Sequence, residues 1–182
     1  MLKKDQQLLL KLARNTLESY FKDLDPDTSE CTHLTQLKGC FVTLHKGKEL
    51  RGCIGFIKPI MPLFEQIIAA TKAAAFEDPR FEPLVEEELK QIRIEISILS
   101  KPELIKASSQ QEYFENIKIG RDGLIIQSNG HSGLLLPQVA VEYHWTPEQF
   151  LQAVCDKAGL DIDAWKRKDT KIYKFQAEVF GE

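Results

Sequence analysis

Lys46-Gly47-Lys48-Glu49-Leu50-Arg51-Gly52-Cys53-Ile54-Gly55 is the stretch on which the reading of the fold turns. Just before it, Cys40, Val42 and Leu44 alternate with Phe41, Thr43 and His45, the period of a half-buried strand. Lys46-Gly47-Lys48 then supplies a turn, and a returning strand runs from Glu49 to about Ile57. The two strands make a hairpin, so the sheet they start is antiparallel. Glycine inside a strand marks a bulge or a close approach by another group, and Gly52 and Gly55 stand on either side of Cys53. Arg51 alternates with Cys53, which on a regular strand turns a cation and a thiol to the same face.

Helical spacing surrounds this hairpin. Leu8/Leu9, Leu12/Ala13, Leu17 and Tyr20/Phe21 predict a first helix ending near Asp25-Pro26, followed by a polar loop over residues 25–38. Pro59 and Pro62 open a second helix that buries Leu63, Phe64, Ile67, Ile68, Thr71 and Ala74/Ala75 and stops before Pro79. Phe81 to Lys90 is a loop with a short helix, its run Glu86-Glu87-Glu88 a solvated face. Ile92, Ile94, Ile96 and Ile98 alternate with Arg93, Glu95 and Ser97 in the clearest strand of the chain. Ser109 with Glu112 is a capping box for a short helix. Asp122-Gly123 and Asn129-Gly130 are hairpin-turn dipeptides bracketing a strand at Leu124–Ser128, and Leu134-Leu135-Leu136 is a further strand closed by Pro137. Thr146-Pro147-Glu148-Gln149 starts a helix that buries Phe150, Leu151, Val154, Cys155 and Ala158 and ends at Gly159. The last strand turns Tyr173, Phe175, Ala177 and Val179 inward. Hairpins with interspersed helices and no strict βαβ alternation define an α+β fold with a mostly antiparallel sheet. No repeat or linker divides the chain, so residues 1–182 read as one unit.

Composition narrows the function. At 182 residues, 43% hydrophobic and 28% charged, with a formal net charge of −3, the chain has the make-up of a globular protein. That balance argues against a dedicated nucleic-acid binder, which shows a basic stripe. The only tight basic run, Lys166-Arg167-Lys168, lies between Asp163 and Asp169 and reads as a solvated turn. No secretory signal and no stretch of about 20 apolar residues is visible, which makes the cytoplasm the default location. Cys31, Cys40, Cys53 and Cys155 form no Cys-x-x-Cys pair, and with His33, His45, His131 and His144 they form no zinc pattern. No metal ligand is therefore assigned.

Several blocks carry a family resemblance. They are Leu50-Arg51-Gly52-Cys53-Ile54-Gly55, then Ala75-Phe76-Glu77-Asp78-Pro79-Arg80-Phe81, then Gly133-Leu134-Leu135-Leu136-Pro137-Gln138-Val139-Ala140 with Glu142 and Trp145 after it. Gly120-Arg121-Asp122-Gly123 and Lys157-Ala158-Gly159-Leu160 fit as well. With these the chain resembles the AMMECR family (Alport syndrome, midface hypoplasia and elliptocytosis chromosomal region), closest to its prokaryotic branch, AmmeMemoRadiSam system protein A. It departs at Asn129-Gly130-His131-Ser132, where the family pattern is more basic. The resemblance implies two structurally similar lobes around one curled sheet, helices outside, and a cleft holding the shared blocks. It also implies association with a Memo-like protein and a radical S-adenosylmethionine protein, and it names no reaction or cofactor.

Two functional readings stand open. In the first, the chain is an enzyme or enzyme component with a cleft around Arg51 and Cys53. Cys53 is then the nucleophile, activated by a nearby cation, or a thiol ligand, and Glu142 or His144 moves the proton. Arg51, Gly52, Gly55, Asp78, Arg80 and Gln138 bind a small-molecule ligand. In the second, the chain is a non-catalytic binding or adaptor module: Cys53 is a small buried hydrophobe, Arg51 sits in a salt bridge with Asp78 or Glu142, and Asp78 and Arg80 cap a loop. The first reading further expects the segments around Cys53, Asp78–Phe81 and Pro137–Glu142 to meet at one cleft between the lobes, with Cys53 on its floor.

Overall fold

The computed structural model describes residues 1–182. The chain is α+β, and every strand pairing within its two compact units is antiparallel. The units are Met1–Leu99 with Glu178–Glu182, and Ser100–Ala177.

In the first unit, α1 (Lys3–Tyr20) buries Leu9, Leu12, Ala13 and Leu17, the stripe that its spacing predicts. It stops at Tyr20, ahead of the expected Asp25-Pro26. Asp23 adopts a left-handed φ of 55°, and the Leu24 N–H turns back to the Ser19 carbonyl at 3.0 Å. Such a closure normally uses glycine, so the sequence hides it. The hairpin β1 (Cys40–Lys46) and β2 (Glu49–Phe56) is followed by α2 (Leu63–Phe76) and β3 (Ile92–Leu99). β1 lies between β2 and β3. Cys40, Val42, Leu44, Ile94, Ile96 and Ile98 are buried with the apolar faces of α1 and α2 in one cluster. Each aliphatic side chain so removed from water contributes about 1.5–3 kcal/mol.

In the second unit, β4 (Glu103–Leu104) and α3 (Gln110–Asn116) precede the hairpin β5 (Asp122–Ser128) and β6 (His131–Leu135). Two short helices, α4 (Pro137–Glu142) and α5 (Pro147–Lys157), lead to β7 (Lys171–Gly181). Asn129 and Gly130 form the hairpin turn, both at positive φ. Asp122-Gly123 forms no turn. Both residues are buried inside β5, because Asp122 is paired with Arg121 and Gly123 faces the Phe175 ring; the chain reverses one step earlier, at Gly120 with φ 81°. Helix α4 is absent from the sequence reading; its sign is a proline at the first helical position. In β7, Phe175 is buried as expected, but Ile172 is buried too and Val179 is exposed. The strand changes core along its length: Ile172 packs in the second unit's cluster, whereas Phe180 packs against the first unit's.

The two units share one internal plan, helix, hairpin, helix, strand, with the first hairpin strand central in each; the second adds β4 before its helix α3 and the short helix α4 before α5. The correspondence reaches single residues. Leu44 and Ile126 are each the fifth residue of a seven-residue strand. Leu44 pairs with Gly52 and Ile94; Ile126 pairs with Gly133 and Ile172. A Cβ on Gly52 would stand 2.0 Å from the Ala74 carbonyl oxygen, and one on Gly133 would stand 2.8 Å from the Ala158 nitrogen. In both units glycine on the second hairpin strand lets the end of a helix, α2 in the first and α5 in the second, press onto the sheet.

Candidate functional site

The first unit brings Arg51, Cys53, Asp78 and Arg80 together. Leu44 pairs with Gly52, whereas His45 pairs with Leu50, so Arg51 is the extra residue of a β-bulge. Its guanidinium meets the Glu88 carboxylate at two points, Nε to Oε1 at 3.2 Å and Nη2 to Oε2 at 2.8 Å. Lys46 Nζ donates to the same carboxylate at 3.0 Å. These hydrogen bonds, the Arg51 one first, hold the Glu88 carboxyl at about 2, well below the ordinary range. Glu88 therefore departs from the solvated face expected of the acidic run, and it takes the role expected of Asp78 or Glu142 as Arg51's partner.

Asp78, buried, accepts from the Cys53 N–H at 2.8 Å and from the Arg80 guanidinium at 2.9 and 2.6 Å. Arg80 Nη2 in turn donates to the Cys53 carbonyl at 3.2 Å. The pair thus answers both backbone groups of Cys53 on the side of β2 away from β1, as a neighbouring strand would. Bonding to Arg80 foremost holds the Asp78 carboxyl at about 2.

The Cys53 thiol is half-buried and accepts a hydrogen bond from Thr43 Oγ1 at 3.2 Å. Burial pushes its pKa up; the Thr43 hydroxyl and the Arg80 charge act against that and do not reverse it. The activated thiolate expected of a nucleophile is not what this environment favours. The room at the two glycines is taken by the chain itself. Ala74 fills the space at Gly52, while the Cys40 carbonyl and the Phe41 ring fill that at Gly55. Cys53, Thr43 and Glu95 form one cross-strand row.

Of the three segments expected to meet, those of Cys53 and Asp78 do. The third belongs to the second unit. There Gln138 is half-buried in the first turn of α4, and Glu142 is exposed at its end. His144 is exposed with a left-handed φ of 53°, and its neighbours Tyr143 and Trp145 stack at 4.9 Å. Sequence reasoning missed Glu88 and Thr43. Thr43 was within reach through strand pairing, whereas nothing in a run of three glutamates says which one turns inward. No group of three or more His, Cys, Asp or Glu is placed to hold a metal ion, and no helix is long and apolar enough to cross a membrane.

The antiparallel α+β units and the blocks gathered around Cys53 define a class of protein. The model of the AMMECR1 family matches residues 10–180, and the chain belongs to that family. Among its relatives, Protein MJ0810 of Methanocaldococcus jannaschii is 54% identical over 147 residues, covering 80% of this chain and 73% of that protein. A Thermofilum pendens protein is 44% identical over 188 residues, covering 96% of this chain and 88% of that protein. The crystal structure of the uncharacterized protein PH0010 from Pyrococcus horikoshii superposes with a TM-score of 0.93 at 44% identity, over 100% of this chain and 93% of that one.

Proposed function

We propose that this chain is a non-catalytic binding module, in which the Arg51–Cys53 segment and the Asp78–Glu88 loop form one rigid, partner-facing surface. The observation that supports this is the commitment of both neighbouring cations: Arg51 is paired with Glu88, and Arg80 with Asp78 and the Cys53 peptide. A ligand-binding arginine needs a free fork, and a nucleophilic cysteine needs a lowered pKa; here carboxylates of the chain fill the forks and burial raises the thiol. Exposed Leu50 and Val85 sit on the two segments that the Arg51–Glu88 pair joins, giving this surface apolar contact area. The partners that the resemblance implies, a Memo-like protein and a radical S-adenosylmethionine protein, are the ones to test. Co-purification with each should survive Cys53→Ser and be lost on Leu50→Asp with Val85→Asp in a protein that still melts cooperatively. If Cys53→Ser instead abolishes the biological output while folding and partner binding persist, the enzyme reading replaces this one. That second reading draws on one observation, the partial exposure of a thiol that carries a Thr43 hydrogen bond.

A further inference from the structure

A hollow of about 380 Å³ opens in the second unit beside Lys166, Arg167, Lys168, Ser108 and Ser109. We propose that it binds a small phosphorylated molecule, a phosphate monoester whose organic part rests against Tyr113.

Charge carries the argument. The sequence places Asp163 and Asp169 on either side of the basic run, as though to neutralise it. In the structure Asp163 pairs with Lys166 at 2.7 Å, while Asp169 accepts from the Asn129 amide at 3.3 Å. Arg167 and Lys168 take part in no ion pair, and no carboxylate lines the hollow. Unopposed cations around a concave surface raise the local concentration of anions. A planar guanidinium beside an ammonium and hydroxyl groups suits a group with several acceptor oxygens and close to two negative charges, which describes phosphate.

A second observation is independent of charge. Trp165 forms part of the wall and is fully buried, yet its indole N–H has no acceptor in the chain. Buried indole donors normally find one. Tyr113 stands edge-on to Trp165 at 5.9 Å and Lys166 lies over the Trp165 ring at 5.1 Å, so aromatic and cationic groups share one wall. The volume falls in the range of small-ligand sites and exceeds what a bare phosphate fills, which leaves room for the attached organic group.

Adenosine monophosphate and inorganic phosphate are the probes, titrated into the full chain by calorimetry and by following the two tryptophan indole N–H signals in NMR. Trp145→Phe assigns those signals. The expected result is saturable binding of one adenosine monophosphate per chain, competed by phosphate, weakened by salt and accompanied by a shift of the Trp165 signal. Arg167→Gln with Lys168→Gln, both exposed, should raise the dissociation constant about tenfold or more without moving the melting temperature. No saturable binding of either probe at millimolar concentration overturns the proposal. So does binding that the double variant leaves unchanged, or a shift of the Trp145 signal alone. Binding of a single-stranded oligonucleotide without any binding of the monophosphate also overturns it, in favour of a nucleic-acid surface.

Discussion

Arg51 and Glu88, separated by 37 residues in the chain, are joined by a two-point ion pair in which both side chains are largely withdrawn from water. The pair ties the bulge of β2 to the loop that precedes β3, and it turns the most conspicuous cation of the chain toward the protein's own carboxylate. Removing one partner leaves the other partly buried and unpaired. Glu88→Gln should therefore lower stability by about 1–3 kcal/mol, while Glu86→Gln and Glu87→Gln stay within about 0.5 kcal/mol of the parent. Urea denaturation of the three variants checks this. Equal effects across the run would contradict the pairing.

Acid should weaken the same loop. The Asp78 and Glu88 carboxyls are held at about 2, against 3.8 and 4.5 when unconstrained. Between those values the unfolded chain takes up protons that the folded chain refuses, so stability falls as pH drops from about 5 toward 2 and is fully present above that window. Melting temperature against pH should show the decline, and Arg51→Gln with Arg80→Gln should flatten it. An unchanged slope in that double variant would place the acid sensitivity elsewhere.

The repeated glycine contact makes a matched pair of predictions. Gly52→Ala places a methyl group 2.0 Å from the Ala74 carbonyl oxygen, and Gly133→Ala places one 2.8 Å from the Ala158 nitrogen. Both obstacles are backbone, so helix and sheet must separate. Each substitution should cost about 1–3 kcal/mol or more, with Gly52→Ala the worse. A neutral Gly52→Ala would show that α2 does not press on β2 there.

Ser97 gives a prediction of opposite sign. Its hydroxyl is buried without a hydrogen-bond partner on a strand whose other residues are apolar or ionic. Removing an unanswered polar group relieves its desolvation, so Ser97→Ala should leave stability unchanged or raise it by up to about 1 kcal/mol. A loss larger than that by calorimetric unfolding would mean that the hydroxyl has a partner.

The regular parts of this fold are legible because their signals are local. The isoleucine alternation of β3, the capping box at Thr146 and the Asn129-Gly130 turn each lie within a few residues and appear where the pattern puts them. What escapes reading is set by distant partners or by unusual residues in familiar places. Asp23 closes α1 in a conformation that glycine normally supplies, and Asp122-Gly123 looks like a turn until Arg121 and Phe175 draw it into a strand. At the candidate site, the blocks of Cys53 and Asp78 are recognisable in the sequence, and the structure joins them by a hydrogen bond. The ion pairs that decide their chemistry span 2 residues for Asp78–Arg80 and 37 for Arg51–Glu88, and only the shorter could be inferred from neighbouring residues.

The contact of the Asp78–Arg80 pair with the Cys53 peptide is open to test by exchange. With Asp78→Ala the Cys53 N–H loses its acceptor and Arg80 loses its partner, so protection of the Cys53 amide should collapse while amides paired between β1 and β3 keep theirs. Uniform loss of protection across the first unit would instead make Asp78 a determinant of the whole fold.

The most direct test of the account is the ionisation of the Cys53 thiol. Alkylation by iodoacetamide, followed by mass spectrometry across pH on the folded chain, reads it site by site. Burial raises this thiol against the pull of Thr43 and Arg80. Cys53 should therefore react slowly at neutral pH, with a midpoint above that of cysteine in the unfolded chain. Rapid alkylation at neutral pH, with a midpoint below the unfolded value, would show an activated thiolate and contradict a binding module built around an inert cysteine.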